Sequence, residues 1–126
     1  CQSTALVVND REIIARDISE GIAWFDFSEL CEGPRAVSDY IELARDFHTV
    51  LISNMPRFSS RNEDPARRFV HLIDEFYDRH VNLILSAAAD PVSLYQGEKL
   101  EREFERTSSR LIEMQSMEYL ALEHRP

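Results

Sequence analysis

Three arginines are spaced along the last predicted helix so that they share one side of it. Arg102, Arg106 and Arg110 stand at positions i, i+4 and i+8, and like charges at this spacing repel by about 0.2–0.5 kcal/mol per pair. Either nearby acids offset this repulsion, or Arg106 and Arg110 project towards an anion, as an arginine finger does at a neighbouring subunit's phosphate. In the first explanation, Glu98 would pair with Arg102, Glu103 with Arg106, and Glu113 with Arg110.

A second group of arginines gathers around one loop and the start of the helix that follows it. A helix N-terminus already favours anions through its free N–H groups, so a phosphate, an acidic partner or an anionic lipid could dock there. Neutralisation by the neighbouring Glu63 and Asp64 is the alternative explanation. The four arginines are Arg57, Arg61, Arg67 and Arg68.

Polar side chains stand at the ends of three predicted strands. In an open parallel sheet, ligands bind beyond the carboxyl ends of the strands. The sequence therefore predicts that these side chains face a ligand. They are Asp26, Ser53, Asn54 and Ser86.

A phosphate-cradling loop is excluded by the positions of the glycines. Such a loop needs closely spaced glycines before a lysine, so that backbone N–H groups can wrap the phosphates. The only glycines are Gly21, Gly33 and Gly97, and the single lysine, Lys99, has one of them nearby. The dinucleotide pattern G-x-G-x-x-G fails for the same reason.

Other catalytic patterns are also missing. The four histidines match no metal-ligand spacing, and no serine lies in a G-x-S-x-G elbow. Asp74 and Glu75 follow an apolar run, as in a Walker B motif, but they lie inside a helical period and we interpret them as an acidic solvent face. A self-contained enzyme is not expected, and we predict neither a metal site nor a cofactor for this chain alone.

Length and charge limit the remaining possibilities. The 126 residues predict a single domain, and 23 acidic against 14 basic residues give a net charge of −9. This acidity argues against nucleic-acid binding, which needs cationic surface. No apolar run approaches the ~20 residues that cross a bilayer. Cys31 is expected in the core, and a chain beginning at Cys1 indicates either a piece of a longer protein or a processed lipoprotein.

Hydrophobic periodicity predicts an α/β fold. Strand-like runs over 4–8 and 11–16 flank Asn9-Asp10, two turn residues that favour a hairpin. Buried strands are predicted over 22–27, 48–54 and 81–86, with helices between them over 37–47 and from Asp64 to Tyr77. Asp90-Pro91 predicts a short helical turn, and a long helix follows from Glu98 to Gln115 or Leu122. We expect a three-layer parallel sheet of β-α-β units over residues 21–126, an N-terminal β-hairpin in residues 1–20 and a long C-terminal helix.

Read together, these segments resemble the ZapE-type cell-division ATPases and their mitochondrial relatives, the lactation-elevated-protein ATPases. The resemblance covers nearly the whole chain from about residue 20, with its motifs in order and at plausible spacing. The segments that carry it are residues 24–27, 30–35, 39–44, 47–54, 66–69, 74–79 and 104–116.

This resemblance implies the C-terminal third of an AAA+-like ATPase whose phosphate loop and Walker B motif lie upstream. The full-length protein would use ATP and Mg²⁺, form homo-oligomers and act on cell-division or client proteins, in the cytoplasm or peripherally at the inner membrane. Arg106 and Arg110 would serve ATP hydrolysis, and Ser53, Asn54 and Ser86 would face nucleotide. Arg102 and Glu98 depart from the family pattern. A noncatalytic interaction domain, which docks a division or quality-control partner, is the alternative.

Overall fold

The computed structural model describes residues 4–32, 36–87 and 94–114. This part of the chain contains six strands and four helices. Cys1, the predicted Asp90-Pro91 turn and the predicted helix from Gln115 onward lie outside the described residues. The elements are β1 (Thr4–Val8), β2 (Arg11–Ala15), β3 (Asp17–Ser19), β4 (Ile22–Asp26), α1 (Phe27–Cys31), α2 (Val37–Asp46), β5 (Thr49–Met55), α3 (Glu63–Asp78), β6 (Asn82–Ala87) and α4 (Glu101–Glu113).

The predicted hairpin is confirmed. β1 and β2 pair antiparallel with Val8 opposite Arg11, which leaves a two-residue turn between them. Both turn residues have positive φ, 50° at Asn9 and 65° at Asp10. A type I′ turn requires this geometry, and Asn and Asp tolerate it better than most residues because of their short polar side chains.

The four remaining strands form one sheet in the order β3-β4-β5-β6. β4, β5 and β6 run parallel, as the sequence predicts. β3 pairs antiparallel with β4 and makes the sheet mixed. The sequence missed this strand because it has only three residues. Gly21 turns the chain between β3 and β4 with φ of 74°, and a Cβ there would lie 2.4 Å from Cδ2 of His48.

The helices form a single layer on one face of the sheet, since α1, α2 and α4 all contact α3. Consecutive parallel strands in the order β4-β5-β6, with right-handed crossovers, place the crossover helices on the same side. The opposite face carries Trp24, Leu51 and Ile84 in register, and Ile84 is 56% exposed. At Ile84 this face is therefore open to solvent.

An aromatic cluster joins the helices to the loop after β5. Phe58, in that loop, lies 5.4 Å from Phe27 of α1, 5.6 Å from Phe69 of α3 and 5.3 Å from Phe104 of α4 between ring centroids. All four rings are buried, and such pairs add about 0.5–1.5 kcal/mol each beyond the area that they bury. This cluster fixes α4 against the rest of the molecule. Cys31 is fully buried, as expected.

Asp39 joins the hairpin to the start of α2. Its fully buried carboxylate accepts hydrogen bonds from the Ala36 backbone N–H at 2.9 Å, from Asn9 Nδ2 at 3.2 Å and from an Arg11 guanidinium nitrogen at 2.6 Å. Burial opposes ionisation of this group, but the donors from Ala36, Asn9 and Arg11 outweigh it and hold the pKa of Asp39 below its ordinary value of 3.8.

This lowered pKa predicts an acid-sensitive contribution to stability. A carboxyl whose pKa is lower in the folded state stabilises the protein above its unfolded-state pKa and loses that contribution as the pH falls through the folded-state value. The stability difference between the wild type and Asp39→Asn should therefore be constant near neutrality and shrink below about pH 4. Urea unfolding at a series of pH values measures it. A difference that does not change with pH would contradict this assignment.

Candidate functional site

Two groups of polar side chains contain half of the predicted site residues, namely Asp26, Ser53, Asn54, Arg106 and Arg110. The first lies at the carboxyl ends of β4 and β5, where Asp26 and Ser53 are register neighbours. Asp26 Oδ1 accepts from Asn54 Nδ2 at 3.0 Å and from an Arg16 guanidinium nitrogen at 3.2 Å. Asn54 has φ of 61°, and this left-handed backbone accompanies a register shift after Ile52. We call Arg16, Trp24, Asp26, Ser53 and Asn54 the strand-end cluster.

An aromatic ring completes the strand-end cluster. Trp24 donates from Nε1 to Ser53 Oγ, and the Arg16 guanidinium carbon lies 4.7 Å from the centroid of the Trp24 ring. A cation at this distance is attracted by the ring quadrupole. Ser86 is exposed on β6 and is not among the residues that these contacts join. The structure thus brings Ser53 and Asn54 together with Asp26, and Ser86 lies on the neighbouring strand β6 at the register shift between Ile52 and Met55.

The chemistry open to the strand-end cluster is binding through an amide, a hydroxyl and a guanidinium. Asp26 is its only carboxylate, so the cluster contains no carboxylate pair in which one member acts as acid and the other as base. Within residues 4–32, 36–87 and 94–114, no group of three or more metal-ligating side chains is suitably placed for a metal ion. The same residues contain no helix that is long and apolar enough to span a bilayer.

The second group connects α3 to α4 around Asp74. One carboxylate oxygen of Asp74 accepts from Arg106 at 3.2 Å and the other accepts from Arg110. The Arg110 guanidinium carbon also lies 4.8 Å from the centroid of the Tyr77 ring. Tyr77 donates its hydroxyl proton to Glu113 at 2.7 Å, and this bond to a carboxylate raises the pKa of the phenol. We call Asp74, Tyr77, Arg106, Arg110 and Glu113 the Asp74 cluster.

The acid that offsets the two arginines differs from the predicted ones. The sequence assigned Glu103 to Arg106 and Glu113 to Arg110, but both arginines bind Asp74, which lies on the other helix. Asp74 was interpreted as part of a solvent face, and its side chain is in fact only 23% exposed. Its pairing depends on how α3 packs against α4, which the sequence spacing along α4 does not reveal.

The two arginines that bind Asp74 differ in how far they are exposed to solvent. Asp74 supplies one negative charge to two guanidinium groups, and these differ in exposure, 55% for Arg106 and 25% for Arg110. Arg106 can therefore turn towards an external anion while Arg110 keeps its bond to Asp74. Arg102, the third arginine of the helix, is exposed.

The second predicted arginine group does not converge on one point. Arg67 pairs with Asp64 at 3.4 Å, in agreement with the local neutralisation that the sequence allowed. Arg68 turns to α1 and donates to the backbone oxygen of Cys31 at 3.0 Å. Arg57 and Arg61 are exposed. Glu63, the other acid expected to neutralise them, accepts instead from the hydroxyl of Tyr95.

Comparison of the sequence with known proteins identifies one family. A family model described as AFG1-like ATPase matches residues 1–123. Cell division protein ZapE of Escherichia coli K12 is 43% identical over 122 residues, which are 97% of this chain and 32% of that protein. Lactation elevated protein 1 homolog B of Danio rerio is 33% identical over 146 residues, 90% of this chain and 29% of that protein. The chain thus spans about a third of these relatives, and no solved structure matches it significantly.

Proposed function

Because this chain belongs to the AFG1-like ATPase family, we propose that it is the C-terminal part of a ZapE-like cell-division ATPase. In this proposal the phosphate loop lies on another part of the longer protein, and this part supplies arginines and an assembly surface to ATP hydrolysis. The observation that carries the proposal is the pair Arg106 and Arg110 sharing the single carboxylate of Asp74.

The placement of two guanidinium groups on one shared carboxylate supports the arginine role. A transferring phosphoryl group carries negative charge on its equatorial oxygens, and a guanidinium supplied from a neighbouring domain or subunit stabilises that charge. Arg106 is half-exposed, and Arg110 is held in place by Asp74 and by the Tyr77 ring. One arginine is thus accessible to an anion and the other is held in a fixed position beside it.

The strand-end cluster supports a nucleotide-facing role for Ser53 and Asn54. Both lie where parallel strands end, the edge at which open α/β sheets bind ligands. Asn54 is fixed by its bond to Asp26, so its amide is oriented before a ligand arrives. In the longer protein, ATP and Mg²⁺ would meet these groups. The partners that we propose are the chain's own N-terminal ATPase domain, further copies of the chain, and cell-division or client proteins. We propose that the longer protein acts in the cytoplasm or peripherally at the inner membrane.

The isolated chain should not hydrolyse ATP. It contains no glycine-rich phosphate loop, and arginines alone cannot position the nucleotide or the attacking water. We expect phosphate release from ATP and Mg²⁺ to stay at the buffer background for the purified 126-residue chain. The longer protein serves as the positive control, and its Arg102→Ala variant checks that surface changes on α4 are tolerated. Turnover by the isolated chain would contradict the proposal.

A noncatalytic interaction domain is the second candidate. Under this candidate, the pairing of both arginines with Asp74 is a structural ion-pair network that needs no nucleotide. The sheet face around Ile84 offers apolar surface for such a role. Under this alternative, substitutions at Arg106 and Arg110 change stability and leave ATP turnover by the longer protein unaffected.

A further inference from the structure

The side of α4 that faces away from Asp74 borders a groove of about 400 Å³. The first half of α4 lines the groove with two acidic residues, Glu101 and Glu105. The last turn of α4 lines it with an aliphatic residue, Ile112. This groove lies apart from both the Asp74 cluster and the strand-end cluster. Its described lining is Tyr95, Gly97, Glu101, Phe104, Glu105, Ser108, Ser109 and Ile112.

The floor of the groove is rigid and apolar. Phe104 is buried and stacks on Tyr95 with ring centroids 4.7 Å apart and planes inclined by 10°. The Tyr95 hydroxyl donates to Glu63 and accepts from the backbone N–H of Leu100 at 2.8 Å. Both bonds hold the hydroxyl end of the ring in place. Ile112, at the other end, is 50% exposed, so an aliphatic side chain remains available for contact.

The rim of the groove is negatively charged. Glu101 and Glu105 are exposed and have no ion-pair partner within the part of the chain that the structure describes. None of the described lining residues is Lys or Arg. A smaller depression of about 260 Å³ continues past Gly97, where Glu63 and Glu98 outnumber Lys99. An occupant of the groove must therefore bring positive charge together with apolar surface.

We propose that this groove docks a cationic amphipathic helix of a partner protein. Glu101, Glu105, Ser108 and Ile112 follow the i, i+4, i+7, i+11 spacing, so the groove extends for about 16 Å along α4. A helix lying along it can place lysine or arginine opposite the two carboxylates and leucine or isoleucine over Phe104 and Ile112. Helix-in-groove recognition uses anchors at this spacing, and the charges select the partner against acidic competitors.

A designed peptide tests this proposal independently of ATP hydrolysis. The probe is a fluorescein-labelled 15-residue helix with lysine and leucine on one face, titrated with the 126-residue chain and followed by anisotropy at about 0.15 M salt, where the Debye length is about 8 Å. We expect Glu101→Lys/Glu105→Lys to weaken binding at least about tenfold, because it places like charges opposite the peptide's lysines. Ile112→Asp should weaken it as well.

The matched control carries the same charge change elsewhere. Glu20→Lys/Asp46→Lys alters two other exposed acids and should bind the peptide within about twofold of the wild type, since charges beyond a Debye length are screened. Equal weakening in both double variants would indicate bulk attraction and overturn the proposal. Self-association through Glu101 and Glu105, seen by light scattering, or binding of the chain to anionic vesicles through this face would overturn it too. Far-UV circular dichroism verifies that each variant is folded.

Discussion

Replacing Arg110 by alanine in a protein of the relatives' full length is expected to lower ATP turnover by about a thousandfold, the low end of the effect of an arginine finger. The reason is that Arg110 is one of the two arginines that we propose stabilise developing phosphoryl charge, and that Asp74 and the Tyr77 ring hold its guanidinium in position beside Arg106. The loss of its bond to Asp74 should cost only about 1–2 kcal/mol of unfolding free energy. Steady-state kinetics and thermal melting, measured on the same preparation, separate the two effects.

Two further variants determine how an Arg110 result is interpreted. Arg102→Ala removes an exposed arginine from the same helix and should leave turnover within about twofold, since surface changes of this kind are usually small. Asp74→Asn removes the carboxylate that binds Arg106 and Arg110 but keeps both guanidinium groups. If Arg110 only joins α3 to α4, Asp74→Asn and Arg110→Ala will lower the melting temperature alike, and turnover will follow stability. Unchanged turnover in Arg110→Ala would assign this residue to the ion-pair network.

Replacing Asp39 by alanine should destabilise the fold by about 3 kcal/mol, near the low end of the cost of breaking a buried charge pair. The substitution leaves the Ala36 N–H, Asn9 and Arg11 without their shared acceptor, and it removes the connection between the hairpin and α2. Arg11 is 40% exposed and can return to water, which keeps the cost at the low end. Urea unfolding at pH 7 measures the difference.

The control for Asp39 lies on the same helix. Asp46 is exposed in the last turn of α2, where a negative charge opposes the helix dipole. Asp46→Ala should therefore change the unfolding free energy by less than about 0.5 kcal/mol. Equal losses in the two variants would show that Asp39 contributes no more than any acid on this helix. Arg11→Ala should reproduce part of the Asp39→Ala loss, because it removes one of the three donors.

Much of the fold could be predicted because its signals are local. Asn9-Asp10 between two short apolar runs predicted the hairpin, and the period of Phe69, Ile73 and Phe76 predicted α3. Short elements escaped prediction, because three residues in β3 and five in α1 are too few to show a period. Helix ends moved by a few residues, as at Glu63, where α3 begins one residue before the predicted Asp64. The boundary depends on capping, which the apolar pattern does not fix.

The candidate site was predicted in composition but not in its contacts. Ser53 and Asn54 were expected at strand ends, and they lie there beside Asp26. The sequence did not indicate that Arg16 and Trp24 would complete this cluster, since Arg16 is ten residues from Asp26 along the chain and reaches it only through the pairing of β3 with β4. The arginine roles of Arg106 and Arg110, and an anion site at Arg57, Arg61, Arg67 and Arg68, stay predictions.

The sequence by itself determined the class of fold, because periodicity is a property of neighbouring residues. The spacing of its glycines predicts that these 126 residues form no phosphate loop. The sequence also contained the motifs that led to the AFG1-like ATPase family. Only the tertiary structure decided which acid meets which arginine. Asp74 is 32 and 36 residues from Arg106 and Arg110, and their contact depends on an aromatic core that packs α4 against α3. The same packing separates the two sides of α4, one bound to Asp74 and the other open as an acidic groove.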